Sequence, residues 1–256
     1  MTAPLIQLKE LSIQHPKQPK PTIDLLNLDI NEGEILGLVG SSGSGKSTLA
    51  QALVGLRPIA HGEITYRGRL YASQKKDYRG DYRKEIQMVF QDPTACLNPR
   101  LSVWSLLVEP LQIHERLLSK EQKIHRVCKM LSQVGLDSSF LSRYPHELSG
   151  GQKQRVCIAR SLILKPRFVI FDEAVSALDA SIQAQIINLL KTLKKELGFT
   201  LLFISHDLQI VHYLADRIAV IYQGKIVELN TPDQIFSHPS NPYTQRLIQL
   251  SKKYVI

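Results

Sequence analysis

The sequence predicts an α/β fold built on a mainly parallel sheet, with a helical subdomain inserted between two halves of the α/β core. Three observations predict it. Ile35-Leu-Gly-Leu-Val39 is a continuous apolar run, as expected of a strand buried on both faces. From Arg167 onward, short apolar runs alternate with amphipathic stretches, the pattern of strand–helix–strand units. Between these regions, 94–164 carries helical periodicity and few strand signals, with Pro99, Pro110 and Pro145 as punctuation and Pro93 just before it.

Taken in order, 5–13 and Ile23–Ile30 read as strands, and Asn31-Glu-Gly-Glu34 as the turn that leads into Ile35–Val39. A glycine-rich loop follows, then a helix over 47–56. Helices are expected at 103–113, 121–134 and 152–164. A buried strand at 168–171 precedes a helix at Ala180–Leu197, a strand at Thr200–Ile204, a helix at Leu208–Leu214 and a strand at 218–222. The expected organisation is therefore core halves at 1–93 and 165–229, a helical subdomain at 94–164, and a short helical tail at 230–256 around Pro239 and Pro242.

A chain of 256 residues, 43% hydrophobic and 21% charged, has the composition of a soluble domain with a sizeable core. No apolar run approaches the roughly 20 residues needed to span a bilayer. The first ten residues lack the basic start and apolar stretch of a secretory signal, so the chain is expected to stay in the cytoplasm unless a partner brings it to a membrane. The formal charge is +9, part of it in 67–84. Such an excess admits nucleic acid, an anionic membrane or a phosphorylated ligand. The basic residues are dispersed and no recognition motif accompanies them, so they read as a solvated face with no nucleic acid partner. Cys96, Cys128 and Cys157 are far apart and form no CxxC pair, so free thiols are expected.

Gly40, Ser41, Ser42, Gly43, Ser44, Gly45, Lys46, Ser47 and Thr48 fit G-x-x-x-x-G-K-[ST]. Glycines let the backbone curl so that N–H groups converge on a phosphate, and the following helix adds its positive end. Lys46 supplies charge to the outer phosphates, and the Ser47 hydroxyl is placed for Mg²⁺. A flexible Gly/Ser turn would look similar, but this one follows a buried strand and opens a helix. Phe168-Val-Ile-Phe-Asp172-Glu173 puts two carboxylates at the C-terminal end of an interior strand, where parallel sheets hold ligands. Asp172 would hold Mg²⁺ through water and Glu173 would polarise the attacking water. These motifs point to an ATPase or GTPase.

Leu148-Ser-Gly-Gly-Gln152 opens a helical run and matches the signature of ATP-binding cassette (ABC) ATPases residue for residue. The chain resembles that family over nearly its whole length. The resemblance implies a P-loop NTPase core with an N-terminal antiparallel β subdomain, and ATP with Mg²⁺ as cofactors. Gln91, in Met88-Val-Phe-Gln-Asp-Pro, is similar to the family's Q-loop glutamine, which contacts Mg²⁺. Ser176-Ala-Leu-Asp179 resembles its D-loop, and His206, in Ile204-Ser-His-Asp, its switch histidine, which contacts the γ-phosphate. The resemblance also implies that Ser149, Gly150, Gly151, Gln152 and Asp179 act in trans on the nucleotide of a second cassette.

Two departures narrow the reading. Family members place an aromatic residue near the end of the first strand to stack on adenine. Here the candidate is His15, and a loose loop is the alternative. Glu173-Ala-Val-Ser176, the string from Met88 to Arg100, and Asn241-Pro-Tyr-Thr-Gln-Arg-Leu247 resemble the peptide/nickel import branch. The length, the absence of a cysteine cluster after the tail and the segment Tyr82-Arg-Lys-Glu-Ile resemble the nickel-import subunits. The implied partners are a second, paralogous ATPase subunit in a heterodimer, two transmembrane permease subunits and, indirectly, an extracytoplasmic substrate-binding protein. The implied location is peripheral, on the cytoplasmic face of the cell membrane. Phe90, Leu97 and Trp104 are candidates to line the groove that receives the permease, or else core. The competing reading is a soluble ABC ATPase acting on nucleic acid or ribosomes.

Overall fold

The computed structural model describes residues 4–15, 20–74 and 82–252, with Lys252 described by its backbone alone. Part of the basic stretch 67–84, namely 75–81, lies outside the described residues, as do the first three residues and the last four of the tail. The chain divides into two compact units, Met1–Tyr82 with Thr200–Ile256, and Arg83–Phe199.

The first unit holds an antiparallel sheet and a largely parallel one. The strands β1 (Ile6–Ile13), β2 (Ile23–Ile30), β4 (His61–Tyr66) and β5 (Arg69–Ser73) lie in the order β2-β1-β4-β5. Apolar residues Ile6, Leu8, Leu11 and Ile13 line the buried side of β1, with Glu10 in left-handed backbone where the β1–β2 register shifts. The parallel strands are β3 (Ile35–Val39), β8 (Thr200–Ile204) and β9 (Arg217–Tyr222), with β3 between the other two. All five residues of β3 and of β8 are buried, as a strand covered on both faces requires. Strand β10 (Lys225–Asn230) returns antiparallel to β9 through a two-residue turn, Gln223 and Gly224, both at positive φ. Helix α1 (Lys46–Leu53) follows β3, and α8 (Leu208–Leu214) follows β8. Helices α9 (Pro232–Ser237) and α10 (Pro242–Lys252) make the tail.

The short helix α2 (Tyr82–Glu85) carries the chain from Tyr82 of the first unit into the second, where β6 (Ile86–Val89) pairs in parallel with β7 (Phe168–Asp172). Between them come α3 (Pro93–Cys96), α4 (Val103–His114), α5 (Lys120–Gln133) and α6 (Gly150–Leu162); α7 (Ala180–Leu197) follows. Asp92, Ser102, Ser119, Ser149 and Asp179 each accept a first-turn backbone N–H at the start of a helix, which is why the helices begin where they do. Helix α7 ends at Gly198, in left-handed backbone. Leu106, Leu107 and Leu111 of α4, Leu131 of α5 and Ile158 and Leu162 of α6 are buried in the core of this unit.

The α/β class expected from sequence is the one observed, and the helices at 103–113, 121–134 and 152–164 appear within two residues of those limits. Strands β4, β5, β6 and β10 were not anticipated. Among the described residues no helix is long and apolar enough to cross a membrane. Leu97 is 1% exposed and belongs to the core, not to a groove, whereas Phe90 is exposed and Trp104 half-buried.

Candidate functional site

The phosphate-binding candidate is built by β3 and α1. Directly after Val39, a Cβ on Gly40 would lie 2.3 Å from the carbonyl oxygen of Ile221, so only glycine lets the loop pass that close to β9. Gly45, at φ 110, is the cap residue of α1, and no side chain caps this helix. The first N–H groups of a helix have no acceptor within the helix itself, and the helix dipole favours an anion there. Lys46 is 4% exposed. Its ammonium curls back over the loop and donates to the carbonyls of Gly40, at 2.9 Å, and Ser41, at 3.0 Å. The Ser44 hydroxyl oxygen is buried and has no hydrogen-bond partner among the described residues. A backbone cradle, an ammonium group, an uncapped helix start and an unmatched hydroxyl fit a phosphate-bearing ligand. Ser41, Ser42 and Gly43 are exposed, and Ser47 and Thr48 are half-buried in the first turn of α1. Lys46→Ala is expected to weaken ATP binding about ten- to a hundred-fold, the range for a hydrogen bond to a charged group. Calorimetry on the full chain checks this, and unchanged affinity would contradict the role of the loop.

His206 lies in the same unit, exposed in the turn from β8 to α8. Its neighbours fix that turn. The Ser205 hydroxyl accepts from the Asp207 N–H at 3.0 Å, and the Asp207 carboxylate caps α8 by accepting from Gln209 and Ile210.

In the second unit β7 delivers the two carboxylates. Asp172 is 5% exposed. Glu173 has φ 49, a left-handed conformation uncommon outside glycine and found at functional turns. Its carbonyl accepts from the Ser176 N–H at 3.1 Å and the Ser176 hydroxyl at 2.8 Å, while Ala174 and Val175 are buried beneath the turn. The β6–β7 register sets Val89 opposite Phe171. Two residues further on, Gln91 meets Glu173, and its amide donates to the carboxylate at 3.4 Å.

The same unit carries the signature helix. Ser149 and Gln152 form a capping box: the Ser149 hydroxyl accepts from the Gln152 N–H at 3.3 Å, and the Gln152 side-chain oxygen accepts from the Ser149 N–H at 3.0 Å. By helix geometry the N–H groups of Gly150 and Gly151 have no intrahelical acceptor. A Cβ on Gly151 would sit 2.7 Å from Ile182 Cγ2, so α6 needs glycine there to pack against α7. Asp179 caps α7. The Ile182 N–H, at 2.9 Å, and the Ser181 hydroxyl, at 2.8 Å, hold its carboxyl below the usual range.

His15 is half-buried two residues beyond β1. The aromatic group on the phosphate loop is a different one, Tyr243 of α10. Its hydroxyl accepts from the Ser41 N–H at 2.8 Å and its ring stacks on Tyr222, with centroids 4.1 Å apart and planes at 28°. The sequence offered Tyr243 only as part of a branch-like tail string. Cys96, Cys128 and Cys157 are free thiols, and burial pushes Cys157 up to about 12, as suits a small core residue.

Residues 23–176 match the ABC transporter family. The oligopeptide transport ATP-binding protein OppF of Bacillus subtilis is 45% identical over 252 residues, covering 97% of this chain and 82% of that protein. The dipeptide transport ATP-binding protein DppF of Lactococcus lactis subsp. cremoris is 44% identical over 255 residues, with the same two coverages. Among solved structures, the ATP-binding cassette MJ0796, in a dimeric post-hydrolysis state with ADP and Pi, superposes with a TM-score of 0.78 at 29% identity, over 89% of this chain and 98% of that one. CbiO1 of Clostridium perfringens, part of the ABC transporter complex cbiONQ, does so with 0.81 at 27% identity over the whole of both chains. Likeness of this extent, in sequence and in fold, places the protein in the ABC transporter family.

Proposed function

We propose that this chain is one ATPase subunit of a peptide importer and that it turns over ATP when two cassettes close on each other. The observation that carries the pairing is the start of α6. Its capping box engages Ser149 and Gln152 within their own helix, while the N–H groups of Gly150 and Gly151 at an exposed positive helix end are left for an anion from outside. The solved MJ0796 cassette with ADP and Pi is a dimer, which supports the same reading.

ATP with Mg²⁺ supplies the phosphoanhydride bond and the counter-charge. The loop from Ser42 to Thr48 and the Lys46 ammonium hold the phosphates, and Ser47, Asp172 and Gln91 are the candidate holders of the metal, Asp172 through water. Glu173 takes the proton of the attacking water as general base. Gln91, bonded to that carboxylate, orients it. His206, on its fixed turn, offers a donor to the outer phosphate, and His15 remains the candidate to stack on adenine. Ser149, Gly150, Gly151, Gln152 and Asp179 act on the partner's nucleotide. A cassette whose affinity for its partner differs between nucleotide states can shift a permease between conformations.

The relatives named for oligopeptide and dipeptide transport favour peptide cargo over the nickel suggested by chain length. The proposed assembly is a paralogous ATPase partner, two permease subunits and an extracytoplasmic binding protein, with this chain held peripherally at the cytoplasmic face of the membrane. Purification from the native membrane is expected to bring down permease chains and a second ATPase, and vesicles carrying the complex are expected to take up short peptides with ATP. Uptake of Ni²⁺ in place of peptides would reassign the cargo. Co-purification of ribosomes or DNA without a permease would overturn import altogether.

A further inference from the structure

The contact between the tail and the phosphate loop has no part in the reading above. The Gly40–Ser41 peptide group is held at both ends. Its carbonyl, on Gly40, accepts from the Lys46 ammonium at 2.9 Å, and its N–H, on Ser41, donates to the Tyr243 hydroxyl at 2.8 Å. A peptide group is a rigid plane, so two bonds at opposite ends fix its orientation. Bonds in series also polarise one another: an acceptor on the N–H makes the carbonyl a better acceptor for Lys46.

The tyrosine is itself held firmly. The buried Glu228 carboxylate of β10 accepts from the Ser240 N–H at 2.8 Å, the Ser240 hydroxyl at 2.9 Å and the Asn241 N–H at 3.1 Å. Asn241 in turn accepts from the Tyr243 N–H through its side chain at 2.9 Å. The phenol ring rests on Tyr222, at the end of β9. The turn that follows Tyr222 touches the loop a second time, where the Gly224 N–H donates to the Ser44 carbonyl at 3.1 Å. The start of α10 is thus anchored to the β9–β10 hairpin at one end and to the phosphate loop at the other.

We propose that Tyr243 is a positioning residue of the nucleotide site: its hydroxyl orients the Gly40–Ser41 peptide on which Lys46 rests, so that docking of α10 and ordering of the phosphate loop are linked. The loop with this peptide fixed is preorganised for phosphate, and the loop without it must be ordered when nucleotide binds. The linkage is reciprocal, so nucleotide binding also tightens the tail on the hairpin.

Tyr243→Phe keeps the ring on Tyr222 and removes only the acceptor. It is expected to weaken MgATP and MgADP binding to the full chain by about three- to ten-fold, the worth of one ordinary hydrogen bond. KM for ATP should rise by the same factor while kcat at saturation and the thermal midpoint hold. Tyr222→Phe, which keeps the stack and loses a hydroxyl that accepts from the Gln223 side chain at 3.3 Å, is expected to bind as the wild type does. Unchanged affinity and KM in Tyr243→Phe would overturn the inference, as would a loss seen equally in Tyr222→Phe. A fall in the thermal midpoint with no change in nucleotide affinity would reduce Tyr243 to a packing role and overturn it as well. The inference rests on the nucleotide reading of the loop, and Lys46→Ala separates the two. Unchanged binding in Lys46→Ala sinks that reading and the inference together, whereas unchanged binding in Tyr243→Phe alone sinks only the inference.

Discussion

Glu173→Gln is expected to leave ATP binding intact, to lower turnover by at least about a hundred-fold and to accumulate a closed pair of cassettes. The loss is that of a general base, worth roughly a hundred- to ten-thousand-fold. Local geometry makes this substitution a clean one. The backbone at Glu173 is held in its left-handed conformation by two bonds to its carbonyl from Ser176, and neither involves the side chain. The amide has nearly the shape of the carboxylate and retains an oxygen that accepts from Gln91, whose own bond to Glu173 measures 3.4 Å. The one property removed is the capacity to take a proton at neutral pH. With hydrolysis stopped and binding retained, mass action holds the cassettes in the nucleotide-bound pair. Phosphate release and light scattering in the presence of MgATP measure the two halves of this expectation. A turnover rate equal to the wild type would remove Glu173 from the chemistry.

The residues proposed to carry the chemistry are legible in the sequence because phosphate, Mg²⁺ and water constrain residue type as well as position. A loop that must pass 2.3 Å from a carbonyl where a Cβ would stand admits only Gly40, and a helix whose positive end is to meet a ligand begins on Gly45 rather than on a capping serine. Helices α4 to α7 were legible for a different reason: each opens on Asp or Ser and buries an apolar face. Strand β6 was not, because Ile86-Gln-Met-Val89 is only four residues long and half of its meaning lies in its register with β7, where Ile86 pairs with Phe168, 82 positions downstream. Strand β10 shows mostly exposed or half-buried residues, and its pairing rests on Gln223 and Gly224 adopting positive φ, which a glutamine does not advertise. The Tyr243 contact spans 202 positions, and no local pattern encodes it. The aromatic pair of Tyr222 and Tyr243 beside the phosphate loop likewise comes from the far end of the chain.

Replacing Ser149 by a bulky residue is expected to abolish ATP-driven pairing and, with it, turnover by about the same factor as Glu173→Gln, while each chain still binds ATP. Ser149 and Gly150 are exposed, and a large side chain at the cap position would stand over the very N–H groups proposed to meet the partner's nucleotide. The substitution also removes a helix cap worth about 1 kcal/mol, so bulk has to be separated from capping. Ser149→Ala does this, because it loses the bond from the Gln152 N–H, 3.3 Å in length, and adds no volume. If steric closure is the issue, Ser149→Trp fails to pair and Ser149→Ala pairs with reduced thermal stability. If the hydroxyl itself contacts the partner's nucleotide, both fail, and pairing still depends on α6. Retention of ATP affinity in both variants marks the defect as one of assembly rather than of nucleotide binding. Normal ATP-dependent dimerisation of Ser149→Trp by light scattering would refute the assignment of α6 to the partner's site, and the chain would then be an ATPase whose signature helix serves only its own fold.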